Sequence, residues 1–258
     1  MSVNSSKQPV ANTAPAKKWN WWLLLALPVW VFLSFAIAQL VVVGLVQAAI
    51  QAGLELDAVD ATILNTTLAA VIYSLTLLIA IGVPKAIRKY TTSRRELGLD
   101  RLPRWGDIGF APVAYVGYLV TLTFVTAALI NFVPGYDIQQ TQEIGFDALN
   151  FRYEYILAFL TLVVIAPIAE EVLFRGYLYG KLRRAVPLWA AILVTSALFA
   201  AVHGQWNVAV DTFILSVFMC GLREVTGSIW AGILLHMIKN GVAYYFLFVD
   251  TSLIQGLM

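Results

Sequence analysis

Residues 23 to 50 contain no charged side chain, and comparable apolar runs recur along the rest of the chain. A helix needs about 20 apolar residues to cross roughly 30 Å of hydrocarbon. Within lipid, only a helix or a closed barrel satisfies its own backbone polar groups. The pattern predicts helices near 23–50, 62–83, 108–133, 153–174, 187–203, 207–222 and 226–249. The fifth and sixth are short and closely joined through Gly204-Gln205-Trp206, so a hairpin or a re-entrant pair is an alternative to two full crossings. The expected fold is all-α, a polytopic membrane helix bundle of seven to eight transmembrane helices with an intramembrane site.

Composition closes off other classes. The chain is 60% hydrophobic and 12% charged, with mean hydropathy +0.78, whereas soluble domains carry about 25% charged residues. A soluble fold of this length has too little interior for so much apolar surface. A net charge of +2 gives no reason to expect a nucleic-acid partner. The single cysteine, Cys220, excludes an intrachain disulfide or a thiolate zinc site and reads as a small buried apolar residue.

Residues 1–20 read as a disordered cytoplasmic tail, 21–250 as one transmembrane domain and 251–258 as a short C-terminal tail. Trp19, Trp21 and Trp22 beside Lys17 and Lys18 form an interfacial anchor. The apolar run after them far exceeds the roughly 7–15 residues of a signal-peptide core. Basic residues alternate from loop to loop. Lys7, Lys17 and Lys18 lie in the tail. Lys85, Arg88, Lys89, Arg94, Arg95, Arg101 and Arg104 follow the second helix, and Arg175, Lys181, Arg183 and Arg184 follow the fourth. The intervening stretches are poor in basic residues: 51–61 holds none beside Glu55, Asp57 and Asp60, and 134–152 holds Arg152 as its one basic residue. This asymmetry predicts a multi-pass protein of the cell membrane with its N-terminus in the cytoplasm. The stretch 84–107 reads as a topology-setting loop, or as a segment lying along the interface and attracted to anionic lipid.

Ionisable residues inside membrane spans are rare and default to a functional hypothesis. Here Glu170 and Glu171 end a long apolar run, and both histidines, His203 and His236, fall in apolar segments. Glu171 and Arg175 are i and i+4, the favoured order for an ion pair on one helix face. Glu170 points about 100° away, toward a different surface. His236 and Asn240 are also i and i+4. A desolvated glutamate becomes a usable general base for water, with a histidine sharing that water. A second histidine and an amide would stabilise a developing oxyanion. Zinc held by Glu170, His203 and His236 is the rival chemistry, although the H-E-x-x-H signature is absent.

At 1.5 Å rise per residue, Glu170 lies about 8 Å, His236 about 14 Å and His203 about 24 Å from an inner boundary at Arg175. They meet only if the fifth helix begins outside the bilayer, tilts or is offset. Lys239, set in an apolar stretch, comes out at the depth of Asp211, so an ion pair between them is expected.

Glu170-Glu171-x-x-x-Arg175, Phe199-x-x-x-His203 and His236-x-x-x-Asn240, in this order on successive helices, resemble the CAAX protease and bacteriocin-processing family of intramembrane proteases. Phe218-x-x-Gly221 and Thr226-Gly227-Ser228 fit the same pattern, which covers roughly residues 165–241. The resemblance implies a glutamate-dependent endopeptidase opening to the cytoplasm and acting on a membrane-associated peptide or protein without a cofactor. Glu170 and His203 would activate water, His236 and Asn240 would stabilise the oxyanion, and Glu171 and Arg175 would support them. Prokaryotic members are linked to bacteriocin maturation, immunity and peptide signalling, and the plain N-terminal tail suits a prokaryotic plasma membrane. Two other classes remain: a non-catalytic immunity or scaffold protein on the same fold, and a proton-coupled transporter. Every motif residue is present, which disfavours the first; no internal repeat is apparent, which disfavours the second.

Overall fold

The computed structural model describes residues 18–88, 91–133, 145–146 and 149–250. Its helices are α1 (Leu23–Gln51), α2 (Ala61–Ile87), the short α3 (Arg94–Leu97), α4 (Trp105–Phe132), α5 (Arg152–Ala185), α6 (Leu188–Ala201), α7 (Trp206–Thr226) and α8 (Trp230–Val249). Five of them, α1, α2, α4, α5 and α8, are long and apolar enough to cross a membrane. The other two expected segments are also helical. Of these, α6 has only 14 residues, and α7 carries Asp211, Arg223 and Glu224. They pack against each other as a hairpin turning at Gly204, whose φ of 75° suits glycine. The all-α membrane bundle is therefore present, with the fifth and sixth expected segments packed side by side. The expected tail at 1–17, the C-terminal tail at 251–258 and most of the 134–152 loop lie outside the described residues.

Polar groups fix the helix ends. The Asp60 carboxylate accepts from the Ile63 backbone N–H at 3.0 Å and caps α2. Glu154 accepts from the Phe151 N–H at 2.9 Å where α5 begins. Leu178, Leu182, Phe199, Leu215, Met219 and Leu235 are fully buried, so the core lies among α5, α6, α7 and α8. Cys220 is buried there as a free thiol. On α1 and α4, Leu25, Leu40, Val113 and Phe124 are exposed, as side chains facing lipid would be.

The expected inner boundary at Arg175 is corrected. Helix α5 continues to Ala185, and Arg175 is completely buried. Its guanidinium is neutralised inside the core by Glu171, so a charge that reads as an interfacial marker is an interior one. The true end carries Arg183 and Arg184, and the Asn20 N–H donates to the Ala185 carbonyl at 2.8 Å. Trp21 and Trp189 meet at the same end, with ring centroids 6.4 Å apart. Glu170 thus lies 15 residues before Ala185 and His203 15 residues after Leu188, which places both at one level.

The loop around α3 is docked rather than spread along the interface. Ser93 and Glu96 form a capping box. The Ser93 backbone N–H, with Arg184 beside it, holds the Glu96 carboxyl below the usual carboxylate range. Gly98, at φ 73°, offers its carbonyl to both the Ser228 hydroxyl at 2.8 Å and the Ile229 N–H at 3.3 Å. The Trp230 indole N–H donates to the Arg101 carbonyl at 2.7 Å. Helix α8 therefore starts above this loop, recessed from the α5–α6 turn, and His236 reaches the level of Glu170 after only two turns.

Candidate active site

Two π turns, Leu160–Ile165 and Val172–Leu178, bracket the α-helical stretch Ala166–Glu171 of α5. Such turns are uncommon and concentrate at functional sites, where they re-aim the side chains around them. Glu171 turns inward. Its Oε1 lies 2.7 Å from Arg175 Nη1, and both side chains are completely buried. The Arg175 guanidinium sits 4.2 Å from the centroid of the Phe199 ring, a favourable site for a desolvated cation. Phe199 also meets both histidine rings edge-on, with centroids 4.9 Å from His203 and 5.9 Å from His236.

Glu170 points to the other side. It lines a cavity of about 190 Å³ together with His203 and Tyr73, and α1 closes the apolar wall with Val31, Phe32 and Phe35. His203 Nδ1 is 2.7 Å from the Phe199 carbonyl oxygen. A carbonyl only accepts, so Nδ1 carries the proton and Nε2 of the neutral ring is an acceptor.

His236 stands between the two carboxylates. Its Nε2 is 3.9 Å from Glu170 Oε2 and its Nδ1 is 3.5 Å from Glu171 Oε1. Glu171, expected to pair with Arg175, also flanks His236. Asn240 lies one turn further along α8, and its Nδ2 donates to the Leu162 carbonyl at 2.9 Å. Leu162 belongs to the first π turn, where the α-helical hydrogen-bond ladder is interrupted. The amide thereby fastens α8 to α5.

The structure thus joins Glu170 and His203 at one cavity, brings His236 against Glu170 and holds Asn240 next in line. Among the described residues, no group of three or more His, Cys, Asp or Glu side chains is arranged to hold a metal ion.

One neighbour was not foreseen. The Tyr73 hydroxyl, on α2, donates to Glu170 Oε1 at 2.6 Å. A lone tyrosine in an apolar helix carries no local signal, and its partner is 97 positions away.

The expected Lys239–Asp211 pair is present, with Nζ 3.1 Å from Oδ2 and the Tyr118 hydroxyl donating to the other carboxylate oxygen. Each side chain is about one-quarter exposed. Asp211→Leu should lower the thermal midpoint of the protein in nanodiscs, because it leaves Lys239 unpaired at membrane depth. A Lys239→Asp, Asp211→Lys double exchange should recover most of the loss, and no recovery would count against the pairing as the cause.

Residues 152–242 match the family model described as "Type II CAAX prenyl endopeptidase Rce1-like". Glu170, Glu171, Arg175, His203, His236 and Asn240 all fall within that stretch, while α1 to α4 lie outside it. The chain is also similar to an "Uncharacterized 24.3 kDa protein" of Escherichia coli, 33% identical over 89 residues. That alignment covers 33% of this chain and 41% of the relative, well under two thirds of its length. No solved structure matches.

Proposed function

We propose that the chain is an intramembrane endopeptidase that hydrolyses peptide bonds of membrane-associated peptides or proteins by glutamate-activated water. The observation that carries this reading is the cavity in which Glu170 and His203 stand together at the same level inside an apolar bundle. Charges at membrane depth are costly and mark working sites.

In this mechanism a water molecule bridges the Glu170 carboxylate and His203 Nε2. Glu170 takes one proton as the water oxygen bonds to the scissile carbonyl carbon. The carbonyl oxygen becomes an oxyanion, stabilised by the His236 imidazole and by the second N–H of Asn240, whose first is given to Leu162. The C–N bond then breaks, and the proton held by Glu170 passes to the departing amine. One peptide leaves with a new carboxyl group, the other with a new amino group, and Glu170 is again ionised. Arg175, paired with Glu171, holds Phe199, and Glu171 flanks His236.

The substrate class is a membrane-associated peptide or protein, as in bacteriocin and peptide-signal processing by prokaryotic members of the resembling family. The protein sits in the plasma membrane with its N-terminus in the cytoplasm. In support, Arg183, Arg184, Arg223 and Arg101 gather around the docked loop at the tryptophan-bearing end, while Asp57 and Asp60 lie near the start of α2.

Peptide profiles of membranes from cells carrying wild type, Glu170→Ala or His203→Ala test the reading. A set of product peptides should disappear in both variants and persist with a strong zinc chelator. Identical profiles in all three would sink the protease assignment.

A further inference from the structure

Helix α2 lies outside the family match, yet it supplies a polar contact to Glu170. Three hydrogen bonds join α2 to α5 along one seam. The Tyr153 hydroxyl donates to Asp60 at 3.1 Å, the Thr161 hydroxyl donates to Thr66 at 3.1 Å, and the Tyr73 hydroxyl donates to Glu170 at 2.6 Å. Residue numbers rise together on the two helices, so they run parallel. The seam takes 13 positions on α2, from 60 to 73, and 17 on α5, from 153 to 170. The π turn Leu160–Ile165 accommodates part of the surplus on α5. Thr66 and Tyr73 are seven apart, two turns along the same face of α2. The bulge therefore brings Glu170 into register with a tyrosine whose hydroxyl is the shortest of the three contacts.

The consequence is chemical. A carboxylate free to rotate about its terminal torsion presents either oxygen to its surroundings. Tyr73 engages Oε1 and leaves Oε2 on the side of His236, at 3.9 Å. We propose that Tyr73 is a positioning residue, which fixes the Glu170 carboxylate so that Oε2 is the oxygen that takes the proton of the attacking water. The proposal rests on the reading of Glu170 as the base, and it adds α2 to the working site. Hydrogen bonds to charged groups are short and strong, so one of them suffices to set the orientation of a carboxylate.

Tyr73→Phe keeps the ring and removes only the hydroxyl. In full-length protein reconstituted in nanodiscs with a lipid-anchored, internally quenched peptide, kcat should fall about 10- to 100-fold with KM within about two-fold of wild type. Thr66→Val, which breaks the neighbouring contact of the same seam, should leave kcat unchanged. Independently of any substrate, infrared spectra should show the carboxyl band that is lost in Glu170→Gln shifted in Tyr73→Phe. Wild-type kcat in Tyr73→Phe, an unmoved band, or an equal fall in Thr66→Val overturns the positioning role. Glu170→Gln cleaving at the wild-type rate removes the base reading, and the proposal with it. An inactive Glu170→Gln beside a fully active Tyr73→Phe removes the proposal alone.

Discussion

Arg175→Ala is expected to destabilise the bundle by about 3–5 kcal/mol, a large part of the roughly 5–15 kcal/mol that holds a typical domain together. The loss is not mainly the Coulomb attraction of an ion pair. Both side chains are completely buried, so truncating Arg175 strands the Glu171 carboxylate in an interior that cannot solvate it. It also uncovers the Phe199 ring on which the guanidinium rests at 4.2 Å, and that ring spaces His203 and His236. Thermal unfolding in nanodiscs should show a midpoint lower by roughly 6–20 °C. Replacing the pair together, Glu171→Leu with Arg175→Met, should recover most of that stability, since buried pairs gain little over apolar side chains of similar volume. The double variant would still lack the carboxylate beside His236, so stability and activity should separate. An unchanged midpoint in Arg175→Ala would show that the pair is not what neutralises Glu171.

What the sequence reveals about this molecule follows from the contrast between charge and lipid. A polar side chain in an apolar run is conspicuous, so Glu170, Glu171, His203, His236, Lys239 and Asp211 announce themselves, and helical spacing alone pairs Glu171 with Arg175. The same logic misplaces the end of α5. Arg175 resembles an interfacial anchor until its partner is seen to bury it, and that boundary accounts for the mismatch in depth between Glu170 and His203, while the start of α8 on the docked loop accounts for that of His236. The π turns are not legible, because an inserted residue leaves hydrophobicity untouched while rotating everything beyond it. Two contacts depend on them and are hidden with them: Asn240 on the Leu162 carbonyl and Tyr73 on Glu170. The docking of the α3 loop is equally silent, since the Gly98 carbonyl that binds Ser228 and Ile229 is backbone and carries no side-chain signature.

Glu170→Gln should lower kcat by about 10²–10⁴-fold, the range for loss of a positioned general base, while the protein remains folded. Glutamine keeps the volume of glutamate, and its carbonyl oxygen still accepts from the Tyr73 hydroxyl, so the α2–α5 seam survives. The amide cannot take a proton from water, and it removes the negative charge facing His236. KM should change little, because the apolar wall from α1 is untouched. The informative comparison is with His203. If Glu170 and His203 act on one water, His203→Ala should be comparably slow. The double variant should then be little worse than either single one, since residues that work as a unit are strongly non-additive. Multiplicative losses would mean that the two act in separate steps, with His203 serving the leaving group. Full activity in folded Glu170→Gln would end the case for a glutamate base, and the paired carboxylates would then be structural, with the cavity left as a binding site.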